Sequence, residues 1–426
     1  MYNKITLALK KYIPENLFTF FAPAYHYIIA TISALIYGFP SRKIKVIGVT
    51  GTKGKSTTTE ILSSILEEAG YKTAVSNTIR HKIDNESIDN KFKMSMPGKF
   101  FIQSFIRKAV NAKCDYVILE MTSQGTMQYR HKFVYLDSFI FTNISPEHLD
   151  SHGSYENYIN AKVKIACEMI KSNKKNKTII ANMDDKESAR FLACASDKKV
   201  SYGVKDLSPF NIKSDGIDFT FSGKTVHSKL SGLFNLYNLL SGITCAKDFG
   251  VSDEIIIRAV EKFNGVRGRV EKILEGQDFT VIVDYAHTPD SLEKLYQVFE
   301  NSRNICVLGG TGGGRDNWKR KEMGRIADAY CDEIILTNED PYDENPDKIV
   351  ANVAEGIVDQ EPKIIMDRRL AIAEAIKCAK TGDTLLITGK GTDPYIMIAN
   401  GEKIPWDDAT VAREELKKVI IKSNLP

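Results

Sequence analysis

The sequence contains a glycine-rich loop of the kind that binds phosphate groups. Residues 48–57 read Gly-Val-Thr-Gly-Thr-Lys-Gly-Lys-Ser-Thr and stand between an apolar run and a helix-forming run. Glycines let backbone N–H groups approach phosphate oxygens, and the positive end of the following helix attracts them. A plain glycine turn is the alternative, because Val49 stands where the strict motif has a glycine. The loop residues predicted to bind a nucleotide are Gly51, Thr52, Lys53, Gly54, Lys55, Ser56 and Thr57.

Several side chains could act on the phosphates of that nucleotide. Lys55 would reach the outer phosphates, and the Ser56 hydroxyl would bind a magnesium ion. Glu120 ends the apolar run 115–121 and offers the hard oxygen that magnesium prefers, although a strand-end glutamate is often only a surface charge. A histidine in a polar loop, such as His148, is more often a hydrogen-bonded structural residue, and imidazole is a poorer magnesium ligand than carboxylate.

Lys162 is a candidate of a different kind. It lies on the predicted helix 155–170, where a spacing of four residues puts it on one face with Tyr158 and Ala166. Without further information, an exposed lysine on a lysine-rich helix is the better interpretation.

Polar, glycine-rich peptides also follow the strands that the sequence predicts after Gly268. These strands are 279–285, 304–310, 333–339, 363–367 and 384–389. Ligands bind at the carboxyl ends of the strands in an open parallel sheet, so a second site is predicted there. The glycines at 310–314 do not read as G-x-G-x-x-G, and we therefore reject a dinucleotide site.

Taken in order, these motifs resemble those of the Mur ligase family. The loop is similar to the family's GTxGK[ST] variant, and Glu120-Met-Thr-Ser-Gln-Gly is similar to its E-V-S-S-H-A block. Phe141 to Gly153 resembles F-T-N-L-x-x-D-H-L-D-x-H-G, and Ala161-Lys162 follows His148 at the family's distance. Further matches are Phe234 to Asn238, Gly268 to Glu271, Asp284 to Asp290, Gly314 to Arg320, and Gly389 to Gly391. The matches run from residue 44 to about 410, and the nearest branch is that of the UDP-N-acetylmuramyl-tripeptide synthetases.

The resemblance implies an enzyme that uses ATP and Mg²⁺ to convert a carboxylate into an acyl phosphate and couples it to an amino acid. By resemblance, the metal ligands are Ser56, Glu120, His148 and Lys162, and Lys162 carries a carbamate that turns its charge negative. The implied catalytic residues are Lys55, His148, Lys162 and Lys319, and the implied nucleotide contacts are Asn238, Arg269 and Asp284. The implied substrate residues are Ser95, Ser123, Arg130, Arg315, Asp340, Tyr342, Gly389 and Asp393.

The sequence departs from the family in stretches that bear on the substrates. About forty residues precede the loop, where the family has a larger UDP-binding domain. The acceptor is then a UDP-N-acetylmuramyl-dipeptide held differently, or another carboxylate. Residues 339–342 read Glu-Asp-Pro-Tyr in place of the Asp-Asn-Pro-Arg of members that add diaminopimelate, and Tyr342 cannot form a bidentate charge pair. We hypothesise that Asp340 and Asp393 favour an amine-bearing side chain such as that of lysine.

Bulk properties narrow the functional class. The net charge is only +4 over 426 residues and no basic cluster stands out, which argues against a nucleic-acid partner. The seven cysteines are odd in number and form no Cys-x-x-Cys pair, so the sequence predicts neither a disulfide framework nor a thiolate zinc site. A reducing cytoplasm fits these features. The expected partners are small molecules, namely a nucleotide-sugar peptide acceptor and a free amino acid.

An apolar stretch precedes the loop. Residues 17–39 contain no Asp, Glu, Lys or Arg and are long enough to span a bilayer. A helix packed on the protein or lying on a membrane surface is the favoured alternative. Pro23 is expected to break the stretch into two pieces. We expect a monomer.

Alternating strands and helices predict an α/β fold with parallel sheets that position these residues. We predict a short N-terminal helical segment (1–43), a central phosphate-loop ATPase domain with a parallel sheet (44–267), and a C-terminal Rossmann-like α/β domain (268–426), with ATP between the last two. Residues 199–231 predict a small antiparallel patch.

Three other functions stay open. A ligase similar to folylpolyglutamate synthase would share this architecture and add glutamate. An amidotransferase partner resembling the lipid II ligase subunit usually carries a four-cysteine zinc site, which this sequence lacks. A non-catalytic nucleotide-binding scaffold would not need Lys55, Glu120, His148 and Lys162 together.

Overall fold

A computed structural model describes residues 15–147, 152–314 and 317–423. The chain forms two compact units, each made of two stretches of sequence. The first unit comprises Met1–Gly203 and Leu240–Ile256, and the second comprises Val204–Leu239 and Ile257–Pro426. The predicted domain boundaries at residues 44 and 268 stay predictions.

The helices and strands of the described residues are numbered here in chain order. The α-helices are α1 (Glu15–Ile36), α2 (Lys55–Glu68), α3 (Lys99–Asn111), α4 (Ser123–Met127), α5 (Tyr155–Cys167), α6 (Ser188–Leu192), α7 (Leu233–Asp248), α8 (Asp253–Lys262), α9 (Pro289–Val298), α10 (Trp318–Tyr330), α11 (Pro346–Ala354), α12 (Arg368–Cys378) and α13 (Asp408–Ser423). Short 3₁₀ turns are Pro40–Lys43, Glu168–Lys171, Val204–Leu207 and Ala399–Gly401.

The β-strands complete this inventory. They are β1 (Lys45–Thr50), β2 (Thr73–Ser76), β3 (Arg80–Ile83), β4 (Glu86–Asp89), β5 (Tyr116–Glu120), β6 (Ser138–Phe141), β7 (Thr178–Asn182), β8 (Lys198–Tyr202), β9 (Phe210–Lys213), β10 (Gly216–Phe221), β11 (Lys224–Ser228), β12 (Glu271–Ile273), β13 (Thr280–Val283), β14 (Asn304–Leu308), β15 (Glu333–Leu336), β16 (Lys363–Ile364), β17 (Thr384–Ile387), β18 (Tyr395–Met397) and β19 (Lys403–Pro405).

The first unit is built on an eight-stranded sheet with the order β4-β3-β2-β5-β1-β6-β7-β8. Strands β2, β5, β1, β6, β7 and β8 are parallel, and β3 and β4 extend the edge in antiparallel pairs. The central strands are continuous apolar runs because helices cover both faces of such a sheet, and every residue of β5 and β6 is buried. The predicted parallel α/β architecture is confirmed.

The register of the central strands sets the position of the site. Val49 of β1 lies opposite Glu120 of β5, and Thr50 lies opposite Phe141 of β6. The carboxyl ends of three neighbouring strands therefore meet at one edge of the sheet. The segments that follow β1, β5 and β6 are the three that the sequence analysis singled out.

The second unit contains a six-stranded sheet with the order β12-β13-β17-β14-β15-β16. All of its pairs are parallel except the antiparallel edge pair β12–β13. Strands β9 to β11 form a separate antiparallel sheet, and β18 pairs with β19. The antiparallel patch predicted within residues 199–231 is confirmed over β9 to β11.

Helix α1 is continuous through Pro23, so the predicted break at this proline is wrong. A proline removes only one backbone donor, and Ala22 and Ala24 on either side of it are strong helix formers. The helix buries Ala30 and Ala34 and leaves a row of large apolar side chains in solvent. In the described part of the chain, no helix has the length and apolarity needed to cross a bilayer.

The prediction that the cysteines form no disulfide is also wrong. The structure pairs Cys167 with Cys194 in the first unit and Cys306 with Cys331 in the second. Each pair lies far apart in sequence, with separations of 27 and 25 residues, and is brought together only by the fold. Spacing in the sequence cannot reveal such a contact.

Candidate active site

The glycine-rich loop joins the end of β1 to the start of α2, as predicted. Gly54 precedes the helix with a φ of 82°, in the region that favours glycine, and no side chain caps the first turn of α2 within this described segment. A Cβ atom on Gly51 would lie 1.9 Å from Oγ1 of Thr142, so only glycine fits there. The uncapped helix start presents backbone donors and partial positive charge to an anion.

The segment after β6 forms hydrogen bonds and an ion pair with the phosphate loop. Asn143 accepts a hydrogen bond from the backbone N–H of Thr52 at 2.8 Å through its carbonyl oxygen. Its side-chain oxygen accepts one from the N–H of Lys53 at 3.0 Å. The Lys53 ammonium also pairs with Glu147 at 2.9 Å. These contacts hold the loop in shape, and neither Asn143 nor Glu147 was among the predicted site residues.

Glu120 lies at the end of β5 and faces the start of α2. Ser56 donates a hydrogen bond to its Oε2 at 2.7 Å, and the Lys55 ammonium lies 3.9 Å from its Oε1. Burial alone would raise the pKa of Glu120, but the charge of Lys55 and the hydrogen bonds from Ser56 and Thr78 outweigh burial and lower it. The structure thus brings the predicted metal carboxylate, the loop hydroxyl and the loop lysine together.

The Thr78 side chain was missed by sequence reasoning. Its backbone N–H donates to Glu120 at 3.1 Å, and its hydroxyl donates to the same carboxylate at 3.0 Å. The hydroxyl also lies 2.6 Å from Oγ of Ser95, which is a predicted substrate residue. Thr78 stands in a turn between β2 and β3 without any motif around it, so the sequence carried no signal for it.

The donor set suits magnesium. Ser56, Thr78 and Glu120 offer hydroxyl and carboxylate oxygens, which are the hard donors that Mg²⁺ takes. Among the described residues no three His, Cys, Asp or Glu side chains are grouped as a metal centre. Magnesium at phosphate sites commonly uses one or two carboxylates plus phosphate oxygens, so one buried carboxylate beside a phosphate loop is sufficient.

Lys162 of α5 is only 2% exposed and projects into the loop. Its Nζ donates to the carbonyl oxygen of Gly51 at 2.7 Å and lies 4.8 Å from the centre of the Tyr158 ring. Burial, and then the positive charge of Lys55, hold the pKa of Lys162 well below its ordinary value. The lowered pKa favours the neutral form of the amine, which is the nucleophilic form.

The remaining predicted residues of the first unit lie around this centre. The Ser123 hydroxyl, at the start of α4, is 3.0 Å from Nε2 of His152. Burial, followed by the charge of Lys162, lowers the pKa of His152, which was not predicted as a site residue although it stands in the quoted motif. Arg130 donates to the carbonyl oxygen of Met96, next to Ser95. His148 lies outside the described residues.

In the second unit, Asp284 is hydrogen-bonded to Val270, the residue that follows Arg269 and precedes β12. The Arg269 guanidinium stacks 4.4 Å from the centre of the Tyr285 ring. Both oxygens of Asp284 accept backbone N–H groups, from Val270 and Ala286, each at 2.7 Å. A Cβ atom on Gly268 would lie 2.6 Å from the backbone nitrogen of Thr392, so this turn packs tightly against the segment after β17.

Asp340 and Asp393 share one buried cation. The Lys390 ammonium lies 2.9 Å from Asp340 and 3.2 Å from Asp393, and its side chain is 0% exposed. One of the two negative charges is therefore already neutralised within the protein. The predicted preference for an amine-bearing amino acid stays a prediction.

Glu339 lies beside this group and was not predicted as a site residue. Its Oε1 accepts a hydrogen bond from Thr311 at 2.8 Å, and its buried Oε2 contacts no donor in the described residues. Burial, reinforced by Asp340, raises the pKa of Glu339. Gly389 is confined by it, because a Cβ atom there would lie 2.5 Å from Glu339 Oε2.

The other predicted residues of the second unit are more dispersed. Asn238 is buried on α7 and donates to Asn235 at 3.0 Å. Tyr342 adopts a φ of 51° and donates its backbone N–H to Met397 at 3.1 Å. Lys319 lies in the first turn of α10. Arg315 lies outside the described residues.

Comparison with known proteins agrees with this arrangement. The Mur ligase middle domain matches residues 49–246, and the Mur ligase glutamate ligase domain matches residues 268–391. A UDP-N-acetylmuramoyl-L-alanyl-D-glutamate--2,6-diaminopimelate ligase of Syntrophomonas wolfei is 38% identical over 404 residues, which is 91% of this chain and 81% of that protein. A UDP-N-acetylmuramyl-tripeptide synthetase of Roseiflexus is 34% identical over 418 residues, with 92% and 82% covered.

Solved structures show the same fold. A UDP-N-acetylmuramoyl-L-alanyl-D-glutamate--2,6-diaminopimelate ligase matches with a TM-score of 0.62 and 25% identity, covering 88% of this chain and 79% of that one. Folylpolyglutamate synthase of Mycobacterium tuberculosis matches with a TM-score of 0.68 but only 14% identity, covering 85% and 92%, which shows the fold alone. The ordered motifs, the phosphate-loop unit and the relatives agree, and the chain belongs to the Mur ligase family of ATP-dependent ligases.

Proposed function

We propose that this ligase joins the carboxylate of a UDP-N-acetylmuramyl-dipeptide-like acceptor to lysine or another diamino acid, such as diaminopimelate, in peptidoglycan precursor synthesis. The names of the relatives support this assignment. The observation that carries the chemistry is the buried Lys162 amine, which lies 2.7 Å from the carbonyl oxygen of Gly51 in the phosphate loop. Burial lowers the pKa of this amine, and a lowered pKa favours the unprotonated form that a reactive lysine requires.

The first unit would activate the acceptor. Lys55 lies 3.0 Å from the carbonyl oxygen of Gly51, on the inside of the loop, where its charge would neutralise the outer phosphates of ATP. Bound Mg²⁺ would lower the charge of the transferred phosphoryl group and so favour attack by the acceptor carboxylate. Ser56 and Glu120 would hold it, with Thr78 fixing the carboxylate. The acceptor oxygen bonds to the γ-phosphorus while the bond to ADP breaks.

Lys162 would serve this centre as a carbamate. Its neutral amine attacks the carbon of carbon dioxide, a nitrogen–carbon bond forms, and a proton leaves the nitrogen. The product carries one negative charge and two oxygen donors where the side chain carried an uncharged amine. Such a group can bind a hard cation, which the unmodified side chain cannot do. His148 is the fourth proposed metal ligand.

The second unit would supply nucleotide contacts and the amino acid. Arg269, Asp284 and Asn238 are the proposed nucleotide residues, and Lys319 and Arg315 are the proposed partners of anionic groups. The amino acid would bind near Asp340, Tyr342, Gly389 and Asp393. Its amine would attack the acyl phosphate and release inorganic phosphate. The carboxylates of Asp340 and Asp393 support lysine over an amino acid with a distal carboxylate, which they would repel.

A matrix of acceptors and amino acids tests the proposal. The purified chain is incubated with ATP, Mg²⁺, UDP-N-acetylmuramyl-L-alanyl-D-glutamate and either lysine or diaminopimelate, and phosphate release and product mass are measured. A dihydrofolate and glutamate arm serves as the control for the alternative ligase. Product only in the folate arm would refute the function, and product with diaminopimelate but not lysine would refute the amino-acid preference.

We also propose that the chain acts as a cytoplasmic monomer that contacts an anionic membrane surface through residues 17–39. Support comes from large apolar side chains exposed along α1, which are Phe20, Phe21, Tyr27, Ile28, Ile32, Leu35 and Ile36. Basic residues Arg42, Lys43 and Lys45 follow the helix and would meet anionic headgroups. We expect the protein to sediment with phosphatidylglycerol vesicles but not with phosphatidylcholine vesicles. If the double variant Phe21→Ser, Ile28→Ser no longer sediments with the anionic vesicles, the membrane contact is assigned to α1.

A further inference from the structure

Two basic side chains from separate elements of the first unit are in contact beside the proposed acceptor segment, and the charge of a third lowers the pKa of both. His26 lies on α1, Lys99 is the first residue of α3, and Arg130 follows α4. We call these three residues the basic cluster. The Lys99 ammonium lies 3.0 Å from Nδ1 of His26. Arg130 donates to Oε1 of Gln128 at 2.6 Å as well as to the carbonyl oxygen of Met96.

The basic cluster has no acidic partner among the residues that the structure describes. The pKa of His26 falls to about 4 because of burial and then the charges of Lys99 and Arg130. Burial and the charge of Arg130 lower the pKa of Lys99 to about 8, and burial lowers that of Arg130. Partly buried cations without a counter-ion are costly, and an oxyanion bound between them would offset that cost.

The start of α3 adds to the same positive field. Gly98 precedes the helix without a side-chain cap, and the first turn contains no acidic residue. The positive end of the helix dipole therefore lies beside Lys99 without an acid to compensate it. Neutral His26 accepts a hydrogen bond from the Lys99 ammonium through Nδ1 and so fixes the direction of that side chain.

The position of the basic cluster relates it to the acceptor. Arg130 contacts the carbonyl oxygen of Met96, and the preceding Ser95 lies 2.6 Å from the Thr78 hydroxyl that bonds to Glu120. A short run of contacts thus connects the basic cluster to the proposed metal carboxylate. If the reacting carboxylate of the acceptor lies at the metal bound by Glu120, another group of the same acceptor would lie near the basic cluster.

We propose that His26, Lys99 and Arg130 form an oxyanion site for a second anionic group of the acceptor, a carboxylate or a phosphate, with Lys99 as its main contact and His26 as a positioning residue. This inference rests on the proposed function for the identity of the acceptor. It adds that helix α1, through His26, takes part in acceptor binding. The acceptor is then at least a dianion.

The first test measures anion binding without turnover. The full chain is saturated with Mg²⁺ and a non-hydrolysable ATP analogue, so that the phosphate loop is filled, and is titrated separately with inorganic pyrophosphate and with glutarate. The ring signals of ¹⁵N-labelled His26 should shift with one of the two probes, and that probe tells phosphate from carboxylate. No shift of His26 with either probe would overturn the proposal.

Matched variants assign the binding to Lys99. Lys99→Met keeps the side-chain length and removes the charge, and the dissociation constant of the effective probe should rise by about 10- to 100-fold. Lys108→Met makes the same change at an exposed position of the same helix and should have no effect. Equal affinities of the two variants would refute the role of Lys99. Thermal melting of both variants verifies that they fold.

The second test uses turnover of the acceptor. Lys99→Met should raise KM for the acceptor by about 10- to 100-fold, while kcat and KM for ATP change less than about twofold. His26→Ala should give a smaller increase that His26→Gln largely restores, because glutamine keeps an acceptor for the ammonium; failure of this rescue would refute the positioning role. If the wild type turns over no muramyl acceptor, the proposed function fails, whereas the probe titration still decides the oxyanion site.

Discussion

The Nζ atom of Lys162 lies 2.7 Å from the carbonyl oxygen of Gly51, and this hydrogen bond connects helix α5 to the phosphate loop. The two residues are 111 positions apart in sequence. This contact places the Lys162 amine where the phosphate groups of a nucleotide are expected. Burying a charged ammonium at 2% exposure is costly, and this burial is the main reason that the pKa of Lys162 is lowered.

Replacing this amine should stop amide formation. We expect Lys162→Ala to lower kcat by more than about 100-fold, because no carbamate can form. Loss of a residue that only supports a metal ligand typically lowers activity by less than this. Binding of ATP, measured by calorimetry, should change little. Lys164→Ala on the exposed face of the same helix is the control. The wild type should also lose activity when carbon dioxide and bicarbonate are removed, and full activity of Lys162→Ala would contradict the carbamate.

The carboxylate of Glu120 should govern the magnesium requirement. Glu120→Gln keeps the size and one acceptor oxygen but removes the charge that Lys55 and Ser56 stabilise. We expect the Mg²⁺ concentration at half-maximal ATP hydrolysis to rise by about 10- to 100-fold. Glu86→Gln on the exposed edge strand β4 should leave it unchanged. An identical magnesium dependence for both variants would remove Glu120 from the metal site.

Gly51 should tolerate no side chain. Gly51→Ala places a Cβ atom 1.9 Å from Thr142 Oγ1, and the loop must shift to admit it. We expect the free energy of unfolding to fall by about 1–3 kcal/mol and nucleotide affinity to fall with it. Gly98→Ala meets nothing within 4 Å and should change the free energy of unfolding by less than about 0.5 kcal/mol. Urea unfolding of both variants makes the comparison.

Glu168 should make the free energy of unfolding depend on pH. Burial alone would raise its pKa, but hydrogen bonds and charges from His131 and Lys132 lower it to about 2, against 4.5 for a free glutamate. A depressed pKa in the folded state stabilises the protein above pH 4.5, and this stabilisation is lost as the pH falls from 4.5 towards 2.

The size of the effect follows from the shift. We expect the ionised Glu168 to add about 3 kcal/mol to the free energy of unfolding at neutral pH, since one pKa unit corresponds to about 1.4 kcal/mol. Glu168→Gln should lack this contribution, so the difference in free energy of unfolding between the wild type and the variant should shrink below pH 4.5. A difference that stays constant from pH 7 to pH 3 would show that Glu168 does not carry the effect.

Much of the fold was predictable because long apolar runs alternate with helical runs. Strand β5 begins within one residue of the predicted apolar run 115–121, since its residues are buried on both faces and so carry a strong apolar signal. The phosphate loop was predictable for a related reason, because glycine spacing directly records backbone geometry.

Other features depend on contacts that no local pattern records. Strands β3 and β4 are polar and lie at the sheet edge, where burial does not select apolar residues. The pairing of Lys390 with Asp340 and Asp393 joins two loops, so the sequence showed two acids but not their shared cation. The two disulfides arise in the same way, from tertiary proximity alone.

The pairing of Val49 with Glu120 makes the chemistry sensitive to single-residue insertions. Successive side chains of a strand point to opposite faces, so inserting one residue within β5 before Glu120 would turn that carboxylate away from Ser56. An insertion of equal length in the loop between α4 and β6 leaves this alternation intact. The spacing inside β5 is therefore as constrained as the identity of its last residue.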